Sequence, residues 1–201
     1  MEEFMYPAKQ TFLVLGLSRS GCAAAEFLLE RKAKVYIYDD VPGEGVEKSA
    51  RLLEDKGAVR ADKEQLPRMQ EICDALVLSP GIPIDHPTAV AFKRSGKAVV
   101  GETELAARYM RCPVVAVTGT NGKTTTVSML EKILSEGGYK AQACGNIGSP
   151  MVKYAELKED EVAVAEISSF QLETLNSLCP HVGVVLNVTE DHLNRHYNME
   201  N

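Results

Sequence analysis

Short apolar runs alternate with segments of helical spacing along the first hundred residues. Thr11-Phe12-Leu13-Val14-Leu15 stops at Gly16, Lys34-Val35-Tyr36-Ile37-Tyr38 at Asp39-Asp40, and Ala75-Leu76-Val77-Leu78-Ser79 at Pro80-Gly81. With Ala98-Val99-Val100, these runs predict four strands. Helical patterns lie between and after them, over 21–31, 45–56, 87–94 and 103–111. Strands that alternate with helices predict parallel βαβ units, with helices on both faces of a sheet.

A second series begins near Arg111-Cys112-Pro113, with strands expected over 114–118, 141–143, 162–167 and 182–187. The chain therefore divides into an α/β domain over 1–111 and a second over 112–201. After the last strand it enters a polar segment and stops at Glu200-Asn201 with no closing helix. That predicts a second domain cut partway through.

Composition narrows the function classes. The 201 residues carry a net charge of −6, and no basic run offers a nucleic-acid footprint. An acidic protein that binds polyphosphate must do so with local donors and a cation, because its overall field repels anions. The five cysteines are dispersed with no C-x-x-C pair, which predicts free thiols in a reducing compartment. The acidic Met1-Glu2-Glu3-Phe4 start carries no signal pattern, and no apolar run is long enough to span a bilayer. Cytoplasm is the expected location.

The most informative segment is Thr118-Gly119-Thr120-Asn121-Gly122-Lys123-Thr124-Thr125, which follows Pro113-Val114-Val115-Ala116-Val117 and opens a helix. A strand, a glycine-rich turn and a helix starting at Lys-Thr make a cradle for a triphosphate. The turn's N–H groups and the helix N-terminus face the anion, the lysine reaches the outer phosphates, and the threonine hydroxyl can ligate Mg²⁺. The general pattern would place a further glycine where Val117 stands.

Gly16-Leu17-Ser18-Arg19-Ser20-Gly21 sits where a dinucleotide fingerprint would lie, with Asp39 ending the next strand in the ribose position. Ser18 replaces the middle glycine that lets backbone approach a pyrophosphate, which disfavours NAD. The hydroxyls and Arg19 suit another phosphate ligand; a purely structural tight turn is the alternative. Ser79-Pro80-Gly81-Ile82-Pro83 lies at a strand's carboxyl end, where ligands collect, and reads equally as a simple turn.

Three polar segments follow strands of the second series: Cys144-Gly145-Asn146-Ile147-Gly148, Glu166-Ile167-Ser168-Ser169-Phe170-Gln171-Leu172-Glu173, and Asn187-Val188-Thr189-Glu190-Asp191-His192. In a parallel sheet all three emerge beside the phosphate loop. Glu166 directly extends an apolar strand, where a carboxylate is costly unless a cation or donor meets it. Magnesium shared with Thr124 is a natural partner. His192 reads equally as a structural residue or a ligand. Glu173 and Glu190 are expected on solvated faces, and His86, His181 and His196 join no constellation.

Together these segments resemble the Mur ligase family, ATP-dependent amino-acid ligases of peptidoglycan precursor synthesis, whose phosphate loop is T-G-T-N-G-K-[ST]-T without the general motif's first glycine. The Ser-Ser-Phe-Gln-Leu-Glu, Gly-Asn-Ile-Gly, Asn-Val-Thr-Glu-Asp-His and Ser-Pro-Gly-Ile segments are similar to its D-glutamate-adding branch. The resemblance implies a Rossmann-like first domain that binds the uridine diphosphate of UDP-N-acetylmuramoyl-L-alanine, with Ser18, Arg19, Ser20, Asp39 and Gly81 at its loops. It implies a P-loop-type second domain that binds ATP through Gly119, Thr120, Asn121, Gly122, Lys123, Thr124 and Thr125. Glu166 and Thr124 would hold Mg²⁺, His192 a second Mg²⁺, and Asn146 and Ser168 would face the substrate. Lys123, Glu166 and His192 are the implied catalytic set.

It further implies a carbamylated lysine and a C-terminal, D-glutamate-receiving domain beyond the present chain, which would leave this chain inactive alone. The intact enzyme is expected to be a monomer without nucleic-acid or membrane partners. Alternatives are another Mur-type ligase or a folylpolyglutamate synthase, which shares the loop, and a non-catalytic uridine-nucleotide module.

Overall fold

A computed structural model describes residues 7–199 and contains two sheets, each with parallel pairing only. The first sheet comprises β1 (Thr11–Leu15), β2 (Lys34–Tyr38), β3 (Val59–Arg60), β4 (Ala75–Leu78) and β5 (Ala98–Gly101), in the order β3-β2-β1-β4-β5. Its helices are α1 (Arg19–Glu30), α2 (Glu44–Asp55), α3 (Leu66–Ile72), α4 (Pro87–Arg94) and α5 (Glu102–Ala107). Alternate side chains of β1 point to opposite faces. Phe12 and Val14 join Ala24, Leu28 and Leu53 of α1 and α2, whereas Leu13 and Leu15 join Met69 and Phe92 of α3 and α4.

The second sheet comprises β6 (Val114–Thr118), β7 (Lys140–Gly145), β8 (Glu161–Glu166) and β9 (Val182–Val185), in the order β7-β8-β6-β9. Helix α6 (Lys123–Glu136) follows β6, and two single-turn helices, α7 (Ser169–Leu172) and α8 (Leu193–His196), follow β8 and β9. On one face Val117 and Val164 pack with Val127 of α6. On the other, the small residues Ala163 and Ala165 belong to the same buried cluster as Phe12 and Leu28 of the first unit. One apolar core therefore runs through both units. No helix among the described residues is long and apolar enough to cross a membrane.

The differences from the predicted elements have local causes. β3 has only two residues, both exposed, so it carries no apolar run. α3 has no counterpart among the predicted helices; its Pro67 occupies the first turn, where the missing N–H costs nothing. The helix expected over 103–111 starts at Glu102 and ends at Ala107. β9 leaves the sheet after Val185, because Asn187 turns back to serve the phosphate loop.

Glu102, Thr103 and Glu104, in the first turn of α5, are all buried and all reach into the second unit. Glu102 Oε1 accepts the Val152 N–H at 2.5 Å. Thr103 Oγ1 accepts from Gln171 Nε2 at 2.8 Å. Glu104 Oε2 accepts the N–H groups of Asn176 and Ser177, each at 2.8 Å, and Oε1 accepts from Arg108. Burial alone would raise the Glu104 carboxyl, but these donors outweigh it and hold it below its ordinary value.

Burial pushes Glu102 up to about 7, despite the opposing effects of the Val152 N–H, the Thr103 hydroxyl and the Arg19 charge. The folded protein thus keeps a proton that the unfolded chain, with an ordinary value of 4.5, gives up. Its stabilising share is complete below that ordinary value and is lost as pH rises to about 7. Glu102→Gln should keep the Val152 bond and remove a pH-dependent loss of order 3 kcal/mol. Urea unfolding of wild type and variant at about pH 5 and about pH 8 measures this, with the variant showing the smaller difference.

Candidate active site

The phosphate-loop segment forms the turn between β6 and α6. Gly119 (φ +135°) and Gly122 (φ +86°) adopt conformations that side chains disfavour, and a Cβ on Gly119 would lie 2.9 Å from the Asn187 carbonyl oxygen. Asn187 clasps the turn: its Oδ1 accepts the Asn121 N–H at 2.9 Å, its Nδ2 donates to the Asn121 carbonyl, and its own carbonyl accepts the Thr120 N–H. Thr189 N–H donates to Thr120 Oγ1 at 3.0 Å. Lys123 folds over the turn, its Nζ donating to the carbonyls of Gly119 at 2.6 Å and Thr120 at 2.8 Å. Thr125 continues the first turn of α6.

Glu166 ends β8 and is 2% exposed. Thr124 Oγ1 donates to its Oε2 at 2.8 Å, and Asn146 Nδ2 donates to its Oε1 at 2.7 Å. Both donors are neutral, so the carboxylate's charge has no cationic counterpart in these contacts. An oxygen-only pair of Glu166 and Thr124 beside a phosphate cradle fits Mg²⁺, which takes one or two carboxylates plus phosphate and water. Among the described residues no three His, Cys, Asp or Glu side chains gather as a metal cage. His192 is exposed, its ring lies tilted against Phe170 with centroids 4.9 Å apart, and its Nε2 lies 3.6 Å from Asp191.

A cavity of about 590 Å³ opens between the two units. Its walls include Gly81 from the first unit and Gly119, Thr120, Lys123, Asn146, Ser168 and His192 from the second. Ser168 also caps α7, its Oγ accepting the Gln171 N–H. Ser18, Arg19, Ser20 and Asp39 do not line this cavity. Asp39 borders a smaller hollow of about 180 Å³ together with Leu17, Tyr38, Arg60 and Lys63. Its carboxylate accepts the N–H groups of Leu17 at 2.6 Å and Val41 at 2.9 Å, which fixes the loop after β1. Ser18 Oγ lies 3.4 Å from Ser79 Oγ, and Ser20 sits in the first turn of α1. Arg19 points elsewhere: its guanidinium donates to the carbonyls of Gly148 at 2.8 Å and Asn146 at 3.0 Å in the second unit.

Several contributors lay beyond sequence reasoning. Arg195 crosses in the opposite direction from Arg19, donating to the Ile82 carbonyl at 3.1 Å while pairing with Glu173. Glu173 is therefore ion-paired and mostly buried, not on a solvated face as expected. His196 also has a partner, the Ser169 hydroxyl at 2.9 Å, and His86 pairs with Asp40 at 2.8 Å while capping α4. Their partners are distant in sequence, so no local motif announced them.

Two parallel α/β units, a phosphate cradle and a buried carboxylate beside it define a class. The description of the Mur ligase MurD-like N-terminal domain matches residues 10–101, and that of the Mur ligase middle domain matches 117–201; the chain belongs to the Mur ligase family. It is 42% identical over 189 residues to the UDP-N-acetylmuramoylalanine–D-glutamate ligase of Koribacter versatilis, and 43% over 195 residues to that of a Thermoanaerobacter species. Each match covers 94% of this chain and 42% of the relative, so the chain spans less than half the length of these curated relatives. The solved structure of the UDP-N-acetylmuramate:L-alanyl-gamma-D-glutamyl-meso-diaminopimelate ligase from Neisseria meningitides shares the fold, with a TM-score of 0.58 and 18% identity over 95% of this chain and 64% of that one.

The first loop tolerates no extra atom. A Cβ on Gly21 would lie 1.9 Å from the Gly16 carbonyl oxygen and 2.5 Å from Ser79 Oγ. Neither backbone can retreat without moving α1 off β1. Gly21→Ala should therefore cost about 2 kcal/mol or more, measured by chemical denaturation.

Proposed function

We propose that this chain is the nucleotide- and substrate-binding part of an ATP-dependent ligase that adds D-glutamate to UDP-N-acetylmuramoyl-L-alanine in the cytoplasm. The observation that carries the reading is the closure of the phosphate cradle on a buried carboxylate, Thr124 Oγ1 to Glu166 at 2.8 Å. The curated relatives named for that reaction support it. On this reading residues 1–111 form the uridine-diphosphate domain, with Ser18, Ser20, Asp39 and Gly81 at the substrate loops and Arg19 at their edge. Residues 112–201 form part of the ATP domain, with Gly119 to Thr125 around the phosphates. On the same reading, D-glutamate is received outside these residues.

The chemistry suits these residues. A carboxylate is a poor acyl donor at neutral pH, so its oxygen first attacks the γ-phosphorus of ATP, ADP leaves, and an acyl phosphate forms. The amine of D-glutamate then attacks the acyl carbon and expels phosphate, forming the amide. Lys123 neutralises charge on the transferring phosphoryl group, and Asn146 and Ser168 orient the reacting carboxylate from the cavity wall. Glu166 and Thr124 would hold Mg²⁺, which when bound spreads the phosphate charge; His192 is the candidate for a second ion.

In the intact enzyme Lys123→Ala should lower acyl-phosphate formation by about 10²–10⁴-fold. The acyl phosphate can be trapped by borohydride reduction and quantified. Near wild-type yield would remove Lys123 from the mechanism, and formation with a folate in place of the UDP-sugar would move the protein to the folylpolyglutamate branch.

A further inference from the structure

We propose that Arg19 is a positioning residue through which the first unit sets the geometry of the Glu166 carboxylate in the second. Its guanidinium meets two carbonyls two residues apart, Gly148 at 2.8 Å and Asn146 at 3.0 Å. A planar fork of donors suits this pair, with one N–H nitrogen for each carbonyl, whereas a lysine would have to serve both from one nitrogen. Two N–H groups of the bound loop are already committed. Gly145 N–H donates to the Ser149 carbonyl and Asn146 N–H to the Glu166 carbonyl. The loop turns through Gly145 (φ +93°) and Gly148 (φ +63°). Two of its outward carbonyls, those of Asn146 and Gly148, take their donors from across the interface.

The next link is the Asn146 side chain, whose Nδ2 donates to Glu166 Oε1 at 2.7 Å, while Thr124 Oγ1 donates to Oε2 at 2.8 Å. A hydrogen-bonded path thus runs from Arg19 through Asn146 and Glu166 to Thr124. Arg19 begins α1, directly after Ser18, which touches Ser79. It therefore stands where the loop at the end of β1 meets the nucleotide side of the molecule. Its fork is spent on carbonyls, so Arg19 acts on the nucleotide side and not on the phosphates of the UDP-sugar. The functional half of this inference rests on the reading of Glu166 and Thr124 as the cation-holding pair.

The test compares wild type, Arg19→Met and Arg19→Lys in the 201-residue chain. Amide hydrogen exchange should show about tenfold lost protection at Gly145 and Asn146 in Arg19→Met, with β1 and β6 unchanged as the control for folding. Unchanged protection at those two amides would overturn the proposal. Affinity for Mn²⁺·ADP, read by paramagnetic resonance, should weaken about tenfold in Arg19→Met and recover in part in Arg19→Lys. Affinity for UDP, read by calorimetry, should stay within about twofold. The opposite split, UDP weakened and Mn²⁺·ADP unchanged, makes Arg19 a phosphate ligand and overturns the proposal. A wild-type chain that does not bind Mn²⁺·ADP removes the cation-site reading itself, and the exchange data then decide the Arg19 geometry alone.

Discussion

A cavity built from two units exists only if the angle between them is fixed, and buried carboxyl groups on α5 fix it. Glu102 and Glu104 accept backbone N–H groups from three residues of the opposite unit, and Thr103 receives the Gln171 amide between them. Such bonds are costly to break because each loss would leave a carboxyl oxygen or a donor buried without a partner. The continuous apolar core beneath supplies the non-directional part of the attachment. The carboxyl groups supply direction. At the rim, Arg19 and Arg195 repeat the arrangement in opposite senses, each donating to carbonyls of the other unit's loops.

That fixed angle explains the arrangement of the candidate site. Every strand of both sheets is parallel, so the loops after β6, β7, β8 and β9 emerge together, and the turn after β4 reaches the same cavity. Ligands collect at the carboxyl ends of such strands because helix N-termini and unpaired N–H groups face them there. Glu166 is placed among these positive ends as a buried carboxylate, met by Thr124 and Asn146. The proposed ligase chemistry needs that combination: donors for phosphate, one carboxylate for a cation, and a wall for the reacting carboxyl group.

Much of this was legible in the sequence, because the informative segments are local. A β-branched run followed by Gly-Thr-Asn-Gly-Lys-Thr specifies strand, turn and helix through neighbours alone, and β6 and α6 follow. The parallel layout then brings Asn146, Glu166 and Ser168 to one edge, as the strand pattern implied. What stayed hidden depends on distant partners. Glu102-Thr103-Glu104 carries no local motif that announces its burial, and its partners lie 50 to 73 residues further on. Arg19 reads as a phosphate ligand because of the loop that carries it, yet its acceptors are carbonyls 127 and 129 residues away. Asn187 looked like the end of a strand, and its side chain clasps the turn at Asn121 across 66 residues.

The central claim is that the two units together bind a uridine-diphosphate sugar and a nucleotide. Its most direct test is a calorimetric titration of the 201-residue chain with UDP-N-acetylmuramoyl-L-alanine, using NAD as the control. The account predicts saturable binding of the UDP-sugar and none of NAD, since Ser18 stands where a dinucleotide fold needs glycine. Saturable NAD binding without UDP-sugar binding would contradict it.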